Sequence, residues 1–471
     1  MDKIDTSINY NDNIEQMPDY SKEEEEEEEH VSFIEYLPEN LTLDIENDIY
    51  ELIDDFIETD PLLYTKHTFH KNILDDVTQT ILNAFIEMDL CDEDDMDDMD
   101  DVYEFVEKCS DNYFVLNLPR SYQESFIFKQ PNVNIIHEKL EKIRNIIQPK
   151  QRTKEWYKFR YNLITASNIG KILSSDAQYN SLIYEKCKPF ETSEGINNYV
   201  NTESAMHWGN KFEPVSISIY EDKYKTKTGE FGCIKHPQYD CIGASPDGIN
   251  IEPTSERFGR MIEVKNIVNR EINKIPKDAY WVQMQVQMEV CDLDECDFVE
   301  TRFKEYDNEN DLFLDNSQEY RGVILYFVSK TETGSNPYYV YMPLDIPLQK
   351  HLVYDWMNEK KQELSLEYSL YNTIYWYLDE FSCLFVPRNR KWFQTAIPKI
   401  QDTWNVILKE RVSGYDHRMP KKKQNILLKN TGEPVSNSQP IQYLNFTKKI
   451  CLVKLDHGVS LENVVETDTI N

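Results

Sequence analysis

The stretch GASPDGINIEPTSERFGRMIEVKN, residues 243–266, consists of two short apolar segments separated by a polar loop. The proline and the glycine on either side of Asp247 favour a tight turn at the end of the first segment. In the second segment, MIEVK, residues two apart on a strand lie on the same face, so Glu263 and Lys265 project together while their aliphatic neighbours face a core. A hairpin that joins the two segments is predicted to place Asp247 beside Glu263.

Two acids and an amine in this arrangement can support metal-assisted chemistry. Carboxylates on adjacent strands, here Asp247 and Glu263, can share a hard cation such as Mg2+, and the carbonyl of Val264 is a natural further oxygen ligand. A bound metal lowers the pKa of a water molecule, and Lys265 can orient that water or stabilise the charge that develops on a phosphoryl oxygen. The pattern indicates phosphodiester hydrolysis, although a tight turn and a strand-face ion pair are each also typical of ordinary protein surfaces.

The composition is that of a folded protein. A length of 471 residues predicts two or three domains, and 40% hydrophobic residues with 12% aromatic residues are unlike a disordered chain. No segment holds the roughly 18 uncharged apolar residues that a membrane helix needs, and the polar start is unlike a signal peptide. Nine cysteines are scattered without a C-x-x-C pair, which favours reduced thiols over metal sites or disulfides. We therefore expect an intracellular protein that is not secreted and has no membrane partner.

The net charge of −35 is concentrated at one end of the chain. Residues 1–110 hold 36 acidic residues against 5 basic ones, whereas the remaining 361 residues hold 49 against 45. The binding of a polyanion depends on the local field rather than on the total charge. The acidic composition therefore does not exclude a nucleic-acid partner for the rest of the chain.

Four regions can be distinguished along the chain. Residues 1–40 include seven consecutive glutamates and are predicted to be an acidic disordered tail. Residues 41–125 form an acidic region with helical spacing of the apolar positions. Residues 130–345 alternate helices and strands, which predicts an α/β domain with a central mixed sheet flanked by helices. Residues 346–471 are predicted to be a helical extension with a basic loop, MPKKKQNILLKNTGEP.

Several segments carry local predictions. RMIEVKN, CDFVETRF, GVILYFVSK and YYVYMPL have the composition of strands, and DAYWVQMQVQMEV that of a helix. The aromatic-rich segment EYSLYNTIYWYLDEFSCLF is predicted to be a helix of the C-terminal extension. The acidic run CDEDDMDDMDD lacks the central glycine and the closing glutamate of a calcium-binding loop, so an acidic linker is the stronger interpretation.

Five motifs in the middle of the chain make the interpretation specific. RYNLITASNIG, GNKFEP, GASPDG, IEVKN and YWVQMQVQM occur in this order. They resemble the successive motifs of the YqaJ-like viral recombinase family, the lambda-type exonucleases within the PD-(D/E)xK nuclease superfamily. The resemblance covers roughly residues 150–305, about a third of the chain. It implies that residues 130–345 contain a PD-(D/E)xK nuclease-like core.

The resemblance also implies roles for individual residues. Asp247, Glu263 and Lys265 match the family's metal-binding and catalytic triplet. Glu213 in GNKFEP matches the helix acid that supports a metal directly or through water. The residues that match the family's contacts to the 5′ phosphate of the cleaved strand are Arg160, Ser167, Ser245 and Gln283. A guanidinium, two hydroxyls and an amide are suited to phosphate oxygens.

Some of these residues also have structural interpretations. Arg160 lies among aromatic residues and can pack on them at the surface. Ser167 can cap the helix that follows it, a role compatible with phosphate binding because a helix N-terminus attracts anions. Gln283 and Gln287 share one helical face while Gln285 turns away. The resemblance implies that Gln283 is the ligand, so Gln287 is interpreted as its neighbour and Gln285 as a structural contact.

Two features depart from the family pattern. The family carries a further acid upstream of the PD turn, and the role of Asp240, the nearest candidate, stays open. The insertion EPTSERFGR lengthens the hairpin and adds Arg257 and Arg260. These two arginines are interpreted either as DNA contacts or as solvated side chains.

The resemblance implies a metal-dependent deoxyribonuclease that uses Mg2+, with Mn2+ as a substitute. It implies a 5′-to-3′ exonuclease on duplex DNA ends in viral recombination or repair. Duplex DNA is the implied partner and a single-strand annealing protein a second one; the family can form homo-oligomeric rings, and the oligomeric state stays open. The alternatives are an endonuclease or junction resolvase and a non-catalytic DNA-binding or virion protein. For a viral protein, the expected locations are the host cytoplasm, the viral factory and the virion.

Overall fold

A computed structural model describes residues 32–92, 95–127, 129–149, 153–190, 201–331 and 336–419. The run of seven glutamates and most of the predicted acidic tail lie outside these residues, and so does the basic loop apart from Met419. Among the described helices, none is both long and apolar enough to cross a membrane.

The described residues contain twelve α-helices and ten strands. The helices are α1 (Glu39–Thr59), α2 (Phe69–Glu87), α3 (Met96–Leu116), α4 (Val133–Arg144), α5 (Lys154–Tyr161), α6 (Ala166–Ile169), α7 (Asp176–Cys187), α8 (Ala205–Tyr224), α9 (Asp278–Cys291), α10 (Glu309–Leu314), α11 (Lys350–Glu363) and α12 (Arg390–Ser413). The strands are β1 (Ile164–Thr165), β2 (Thr228–Gly229), β3 (Ile234–Lys235), β4 (Ile242–Ala244), β5 (Gly248–Asn250), β6 (Met261–Asn266), β7 (Glu295–Glu305), β8 (Arg321–Ser329), β9 (Tyr338–Tyr341) and β10 (Tyr368–Pro387).

A seven-stranded sheet in the order β2-β5-β6-β7-β10-β8-β9 forms the centre of the fold, beside a small sheet β1-β4-β3. In the large sheet β6 and β7 are parallel, and the other neighbouring strands are antiparallel. Parallel neighbours need a crossover connection, which α9 supplies. Helix α8 packs on the face of β6 that carries Ile262 and Val264, and α9 lies over the face that carries Glu263. The predicted mixed sheet flanked by helices is confirmed.

The aromatic-rich segment predicted to be a helix is instead β10, a single strand of 20 residues. It lies between β7 and β8 and pairs with both in antiparallel register. The register shifts after Leu370 and again after Leu378, and such irregularities interrupt the alternation that identifies a strand in sequence. The region 346–471 is therefore not helical throughout, because β10 belongs to the same sheet as the earlier strands.

The N-terminal region contains α1 and α2, as predicted, and a third helix, α3, that begins inside the acidic run. Asp95 caps α3, since its carboxylate accepts a hydrogen bond from the backbone N–H of Asp97 at 2.9 Å. Acidic residues in a first turn stabilise a helix because its N-terminus carries partial positive charge. The linker interpretation is thus wrong for the second half of the run; residues 93–94 lie outside the described residues.

Helix α9 is held from the side away from the sheet by the N-terminal region and by α12. The indole Nε1 of Trp281 donates to the carbonyl of Arg120 at 2.7 Å, and its ring meets Trp392 edge to face at 5.1 Å. Asp278 accepts a hydrogen bond from the backbone N–H of His67 at 2.8 Å. These contacts fix the helix, so the side chains on its opposite face have defined positions over β6.

The two arginines of the inserted hairpin are buried, which contradicts both interpretations of them. Arg257 and Arg260 are 7% and 1% exposed. Both form ion pairs with the fully buried Asp297 of β7, Arg260 Nη1 at 3.1 Å from its Oδ1, and Arg260 also pairs with Glu295 at 2.9 Å. Tyr220 donates to the same carboxylate at 2.7 Å. The arginines therefore stabilise the interior and are neither solvated nor exposed to DNA.

Candidate active site

The hairpin of β5 and β6 places Asp247 beside β6, the strand that carries Glu263 and Lys265. Gly248 pairs with Ile262, and the carboxylate Oδ2 of Asp247 accepts a hydrogen bond from the backbone N–H of Val264 at 2.8 Å. A Cβ atom on Gly248 would lie 3.0 Å from the Ile262 side chain. A side chain after Asp247 would therefore press against Ile262, and glycine lets the two strands approach without that contact.

Glu263 is fully buried and is held by three donors. Lys265 Nζ donates to its Oε1, Gln283 Nε2 donates to the same oxygen at 2.7 Å, and Gln287 Nε2 donates to Oε2 at 2.8 Å. The ammonium of Lys265 also lies over the ring of Tyr280, 5.0 Å from its centre. This set of contacts fixes the orientation of the carboxylate and keeps the lysine beside it.

Charge is crowded around Asp247. Burial raises the pKa of Asp247 well above its ordinary value, and the charges of Glu263 and Glu213 raise it further, while Lys265 and the Val264 N–H act in the opposite direction. Burial lowers the pKa of Lys265, but Glu263 and Asp247 raise it more, so the net shift is upward. Lys265 therefore stays an ammonium ion at neutral pH, and it does not fully offset the carboxylates.

The oxygen atoms in this region fit a hard divalent cation. Within the described ranges, no cluster of three or more His, Cys, Asp or Glu side chains is arranged as a complete metal site. Two carboxylates, from Asp247 and Glu263, with the carbonyl of Val264 leave the remaining positions to water and substrate oxygens. Mg2+ favours that kind of coordination because it keeps several of its waters. The repulsion that raises the pKa of Asp247 is the kind that a cation relieves.

Replacing Asp247 with asparagine is expected to stabilise the metal-free protein. The folded state holds a proton on Asp247 that the unfolded chain releases above the ordinary value of 3.8, so stability falls as the pH rises through the raised pKa. The neutral side chain avoids this loss, and we expect a melting temperature at pH 8 that is higher by at least about 2 °C. Thermal unfolding in EDTA at pH 5 and pH 8 should show the difference narrowing at pH 5.

Added Mg2+ distinguishes an effect at the proposed metal site from a general change in stability. It should raise the melting temperature of the wild type and have much less effect on Asp247→Asn. Asp240→Asn is the matched control, because Asp240 is 91% exposed and paired with Lys235 at 2.7 Å. A variant at Asp247 that is less stable than the wild type and still responds to Mg2+ would contradict a metal site here.

The two serines predicted to bind phosphate follow neighbouring parallel strands. Thr165 of β1 pairs with Gly243 of β4 in parallel register. Ser167 and Ser245 therefore both lie just beyond the C-terminal ends of these two strands. The predicted capping role of Ser167 is wrong: Thr165 stands at the N-cap of α6, and the exposed Ser167 hydroxyl lies 3.1 Å from the Thr165 hydroxyl. Its phosphate role stays a prediction.

Short contacts bring these serines towards α9. A Cβ atom on Gly170, which follows α6, would lie 3.1 Å from the Cα of Ala279, so α6 lies directly against the first turn of α9. The carbonyl of Ser245 accepts a hydrogen bond from Gln287 Nε2 at 3.2 Å. Ser245 is thereby linked to Glu263 through one amide group.

Arg160 lies at the end of α5 and stacks on an aromatic ring. Its guanidinium is 4.6 Å from the centre of Trp156, as in the surface-packing interpretation. In the part of the chain that the structure describes, no hydrogen bond joins Arg160 to Ser167, Ser245 or Gln283. The structure therefore gathers Asp247, Glu263, Lys265 and Gln283 by direct contact and leaves the phosphate role of Arg160 a prediction.

Helix α9 also clarifies the three glutamines. Gln285 is a structural contact, as predicted: its Nε2 donates to the carbonyl of Pro387 at 2.9 Å, and its Oε1 accepts from the N–H of Asn389 at 2.7 Å. Gln287 has a larger part than sequence reasoning assigned, since it touches both Glu263 and Ser245. The spacing of four residues from Gln283 was the signal that could have identified it.

Comparison with known proteins shows which family the residues around this site resemble. Residues 155–294 match the model of the YqaJ-like viral recombinase domain. This part of the chain is similar to the YqaJ-like viral recombinase domain. The match includes all nine predicted site residues, from Arg160 to Gln283.

The similarity to one viral protein covers more residues than the YqaJ-like match. The uncharacterized protein R354 of Acanthamoeba polyphaga mimivirus is 28% identical over 318 residues, which are 60% of this chain and 57% of the viral protein. The chain thus spans somewhat more than half the length of that relative. Two crystal structures of the alkaline exonuclease LHK-Exo from Laribacter hongkongensis, one of them in complex with dAMP, are each 18% identical and cover 56% of this chain and 95% of theirs, with TM-scores of 0.30 and 0.29.

Proposed function

We propose that this chain is a metal-dependent deoxyribonuclease, a 5′-to-3′ exonuclease that acts on duplex DNA ends in viral recombination or repair. The observation that carries the proposal is the buried Glu263 carboxylate, which contacts Lys265, Gln283 and Gln287 and lies beside Asp247. A buried carboxylate with an adjacent ammonium and a second acid is suited to phosphodiester hydrolysis.

The cofactor of this proposal is Mg2+, with Mn2+ as a substitute. Asp247, Glu263 and the carbonyl of Val264 would hold it, and Glu213 would support it directly or through water. When bound, the cation supplies charge stabilisation to the phosphoryl oxygens and acidifies a water molecule. The oxygen-only donor set agrees with a hard cation and not with a thiolate- or imidazole-binding metal.

The chain's own groups have separate tasks in this mechanism. Lys265 orients the attacking water or stabilises the charge that grows on a phosphoryl oxygen. Gln287 positions Glu263 and the Ser245 carbonyl through one amide. An amide NH2 group has two N–H donors, so Gln283 can keep its bond to Glu263 and donate its second N–H to a phosphate oxygen.

The direction of digestion depends on recognition of the 5′ phosphate. Arg160, Ser167, Ser245 and Gln283 form the proposed phosphate site, in which the guanidinium makes the charge-assisted contacts. Duplex DNA is the proposed substrate and a single-strand annealing protein a second partner, inside the infected cell. A junction resolvase with the same carboxylates would have no use for these four residues.

End-specific digestion tests the proposal. Purified full-length protein with Mg2+ is incubated with linear duplexes that carry a 5′ phosphate or a 5′ hydroxyl and with covalently closed circles. We expect the phosphorylated ends to be digested at least about 10-fold faster, because one charge-assisted contact accounts for about 1.5 kcal/mol. Circles should remain intact.

The variant Arg160→Ala assigns the phosphate contact. It should lose the preference for phosphorylated ends while still cutting duplex DNA. Lys158→Ala is the matched control on the same helix, and its preference should be that of the wild type. Cleavage of circles or junctions by the wild type would indicate an endonuclease instead, and a wild type that leaves every substrate intact would indicate a non-catalytic DNA-binding protein.

A further inference from the structure

A cavity of about 500 Å³ lies at the C-terminal end of α9, beyond Gln287. It is lined by the last turn of α9, the first turns of α12, helix α4 and the turn after β3. From Gln283 to Cys291 the helix advances eight residues, roughly 12 Å. None of the nine predicted site residues lines this cavity. Its volume is in the range of small-molecule sites, roughly 300 to 1,000 Å³.

Aromatic and aliphatic side chains line one side of the cavity. The rings of His236 and Phe393 are parallel, with an angle of 6° between them and 5.8 Å between their centres. Tyr239 lies next to this pair, 4.7 Å from the His236 ring. Ile143 and Ile146 also line the cavity, and Ile146 is 40% exposed. Such a wall can accept the face of a planar aromatic group.

His236 adds a defined hydrogen-bond donor to this wall. Its Nδ1 accepts from the backbone N–H groups of Gln238 at 3.0 Å and Tyr239 at 3.2 Å, so in the neutral ring the proton is on Nε2. Burial lowers the pKa of His236; Glu289 raises it and Arg388 lowers it, and the net downward shift keeps the ring neutral. The side chain is 6% exposed, yet Nε2 has no hydrogen-bond partner among the described residues. Nε2 is not one of the fully enclosed polar atoms that lack a partner in the described residues, so an acceptor in the cavity can reach it.

The cations around the cavity differ in their availability. Lys142 is exposed and forms no ion pair with any described residue. Each of the other four cations of the lining already forms an ion pair. The pairs are Lys139 with Asp292, Lys235 with Asp240, Arg388 with Glu289 and Arg390 with Asp294. The free ammonium of Lys142 is therefore the group that can bind an anion here.

We propose that this cavity binds a nucleotide. The base lies against the wall of Phe393 and Tyr239, a ring nitrogen or carbonyl of the base accepts from His236 Nε2, and the phosphate meets Lys142. A planar ring, a hydrogen-bond acceptor and an anion occur together in a nucleotide, either as a free mononucleotide or as one unit of a bound strand. The site is additional to the proposed nuclease centre and does not depend on hydrolysis.

Calorimetric titration of the full-length protein with dAMP in EDTA tests the proposal. We expect one site per chain, at least 10-fold weaker binding in Lys142→Glu, and binding within twofold of the wild type in Lys409→Glu, which makes the same charge change on the exposed part of α12. Asp247→Asn should bind dAMP like the wild type, because Asp247 belongs to the other site. His236→Phe keeps an aromatic ring but removes the donor, and it should weaken binding about 10-fold.

Fragments of the nucleotide and a single-stranded oligonucleotide complete the test. Deoxyadenosine and inorganic phosphate should each bind at least 10-fold more weakly than dAMP. If a single-stranded oligonucleotide binds more tightly than dAMP and Lys142→Glu weakens its binding, the site is assigned to a strand. If the oligonucleotide binds no more tightly than dAMP, the site is assigned to a free mononucleotide. Absence of binding at millimolar dAMP, equal binding of phosphate alone, or a titration that Asp247→Asn abolishes and Lys142→Glu leaves unchanged would overturn the proposal.

Discussion

Replacement of Lys265 by methionine is expected to lower the rate of DNA hydrolysis at least about 1,000-fold. The ammonium contacts Glu263 and is the cation whose charge acts on Asp247. Methionine keeps an unbranched apolar chain that can pack near Tyr280 but removes every donor. The loss should therefore appear in the chemical step and much less in DNA binding. Single-turnover digestion of an end-labelled duplex, with enzyme in excess over DNA, measures that step directly.

A matched lysine shows whether the effect is local. Lys304 lies on β7 and pairs with Asp379 at 2.8 Å on the exposed side of the sheet. Lys304→Met makes the same chemical change, and its single-turnover rate should stay within about threefold of the wild type. Fluorescence anisotropy with a labelled duplex and Ca2+ should show similar affinity for both variants. A Lys265→Met protein that retains a tenth of the wild-type rate would remove this lysine from the mechanism.

The part of the site that could be predicted from sequence depends on short-range geometry. Glu263 and Lys265 are two residues apart on a strand, and one turn separates Asp247 from that strand, so local rules decide which side chains meet. The same holds for Gln283 and Gln285, because the helical period alone separates a residue that faces Glu263 from one that faces Pro387. Over such distances the chain has few alternatives.

The features that sequence reasoning missed depend on partners far along the chain. Arg257 appears solvated in a polar loop until Asp297, 40 residues later, and Ser125, 132 residues earlier, are placed beside it. The strand β10 pairs with β7 and β8 on both sides, but two register shifts break its alternation, so its own period does not reveal it. No local rule contains either fact, because each arises from tertiary contacts.

Replacement of Asp297 by asparagine is expected to destabilise the protein by about 3–5 kcal/mol. The change leaves Arg257 and Arg260 buried without their shared counter-charge. Burial lowers the pKa of both arginines, and Asp297 is the largest influence that raises it, so the variant loses the charge that offsets their burial. Arginine stays protonated in proteins, so both guanidinium groups remain charged in the variant. Tyr220, which donates to the same carboxylate at 2.7 Å, also loses its anionic acceptor. Urea unfolding followed by far-ultraviolet circular dichroism measures the change in the free energy of unfolding.

Two comparisons separate the buried network from other causes. Asp379→Asn removes the same charge from a more exposed ion pair, and it should cost a small fraction as much. The double variant Asp297→Leu with Arg257→Leu should be more stable than Asp297→Asn, because it removes a charge that would otherwise stay buried and unpaired. An effect of Asp297→Asn no larger than that of Asp379→Asn would show that water reaches the arginines.

The folded Asp297→Asn protein should nevertheless hydrolyse DNA at close to the wild-type rate. Asp297 pairs with Ile262 in the parallel register of β6 and β7, so its side chain lies on the face of the sheet that packs against α8. Glu263 is the next residue of β6 and projects to the opposite face, where it contacts α9. The two networks lie on neighbouring strands and have no side chain in common. Loss of stability with retained single-turnover activity at low temperature would thus assign Asp297 to the fold and Glu263 to the chemistry.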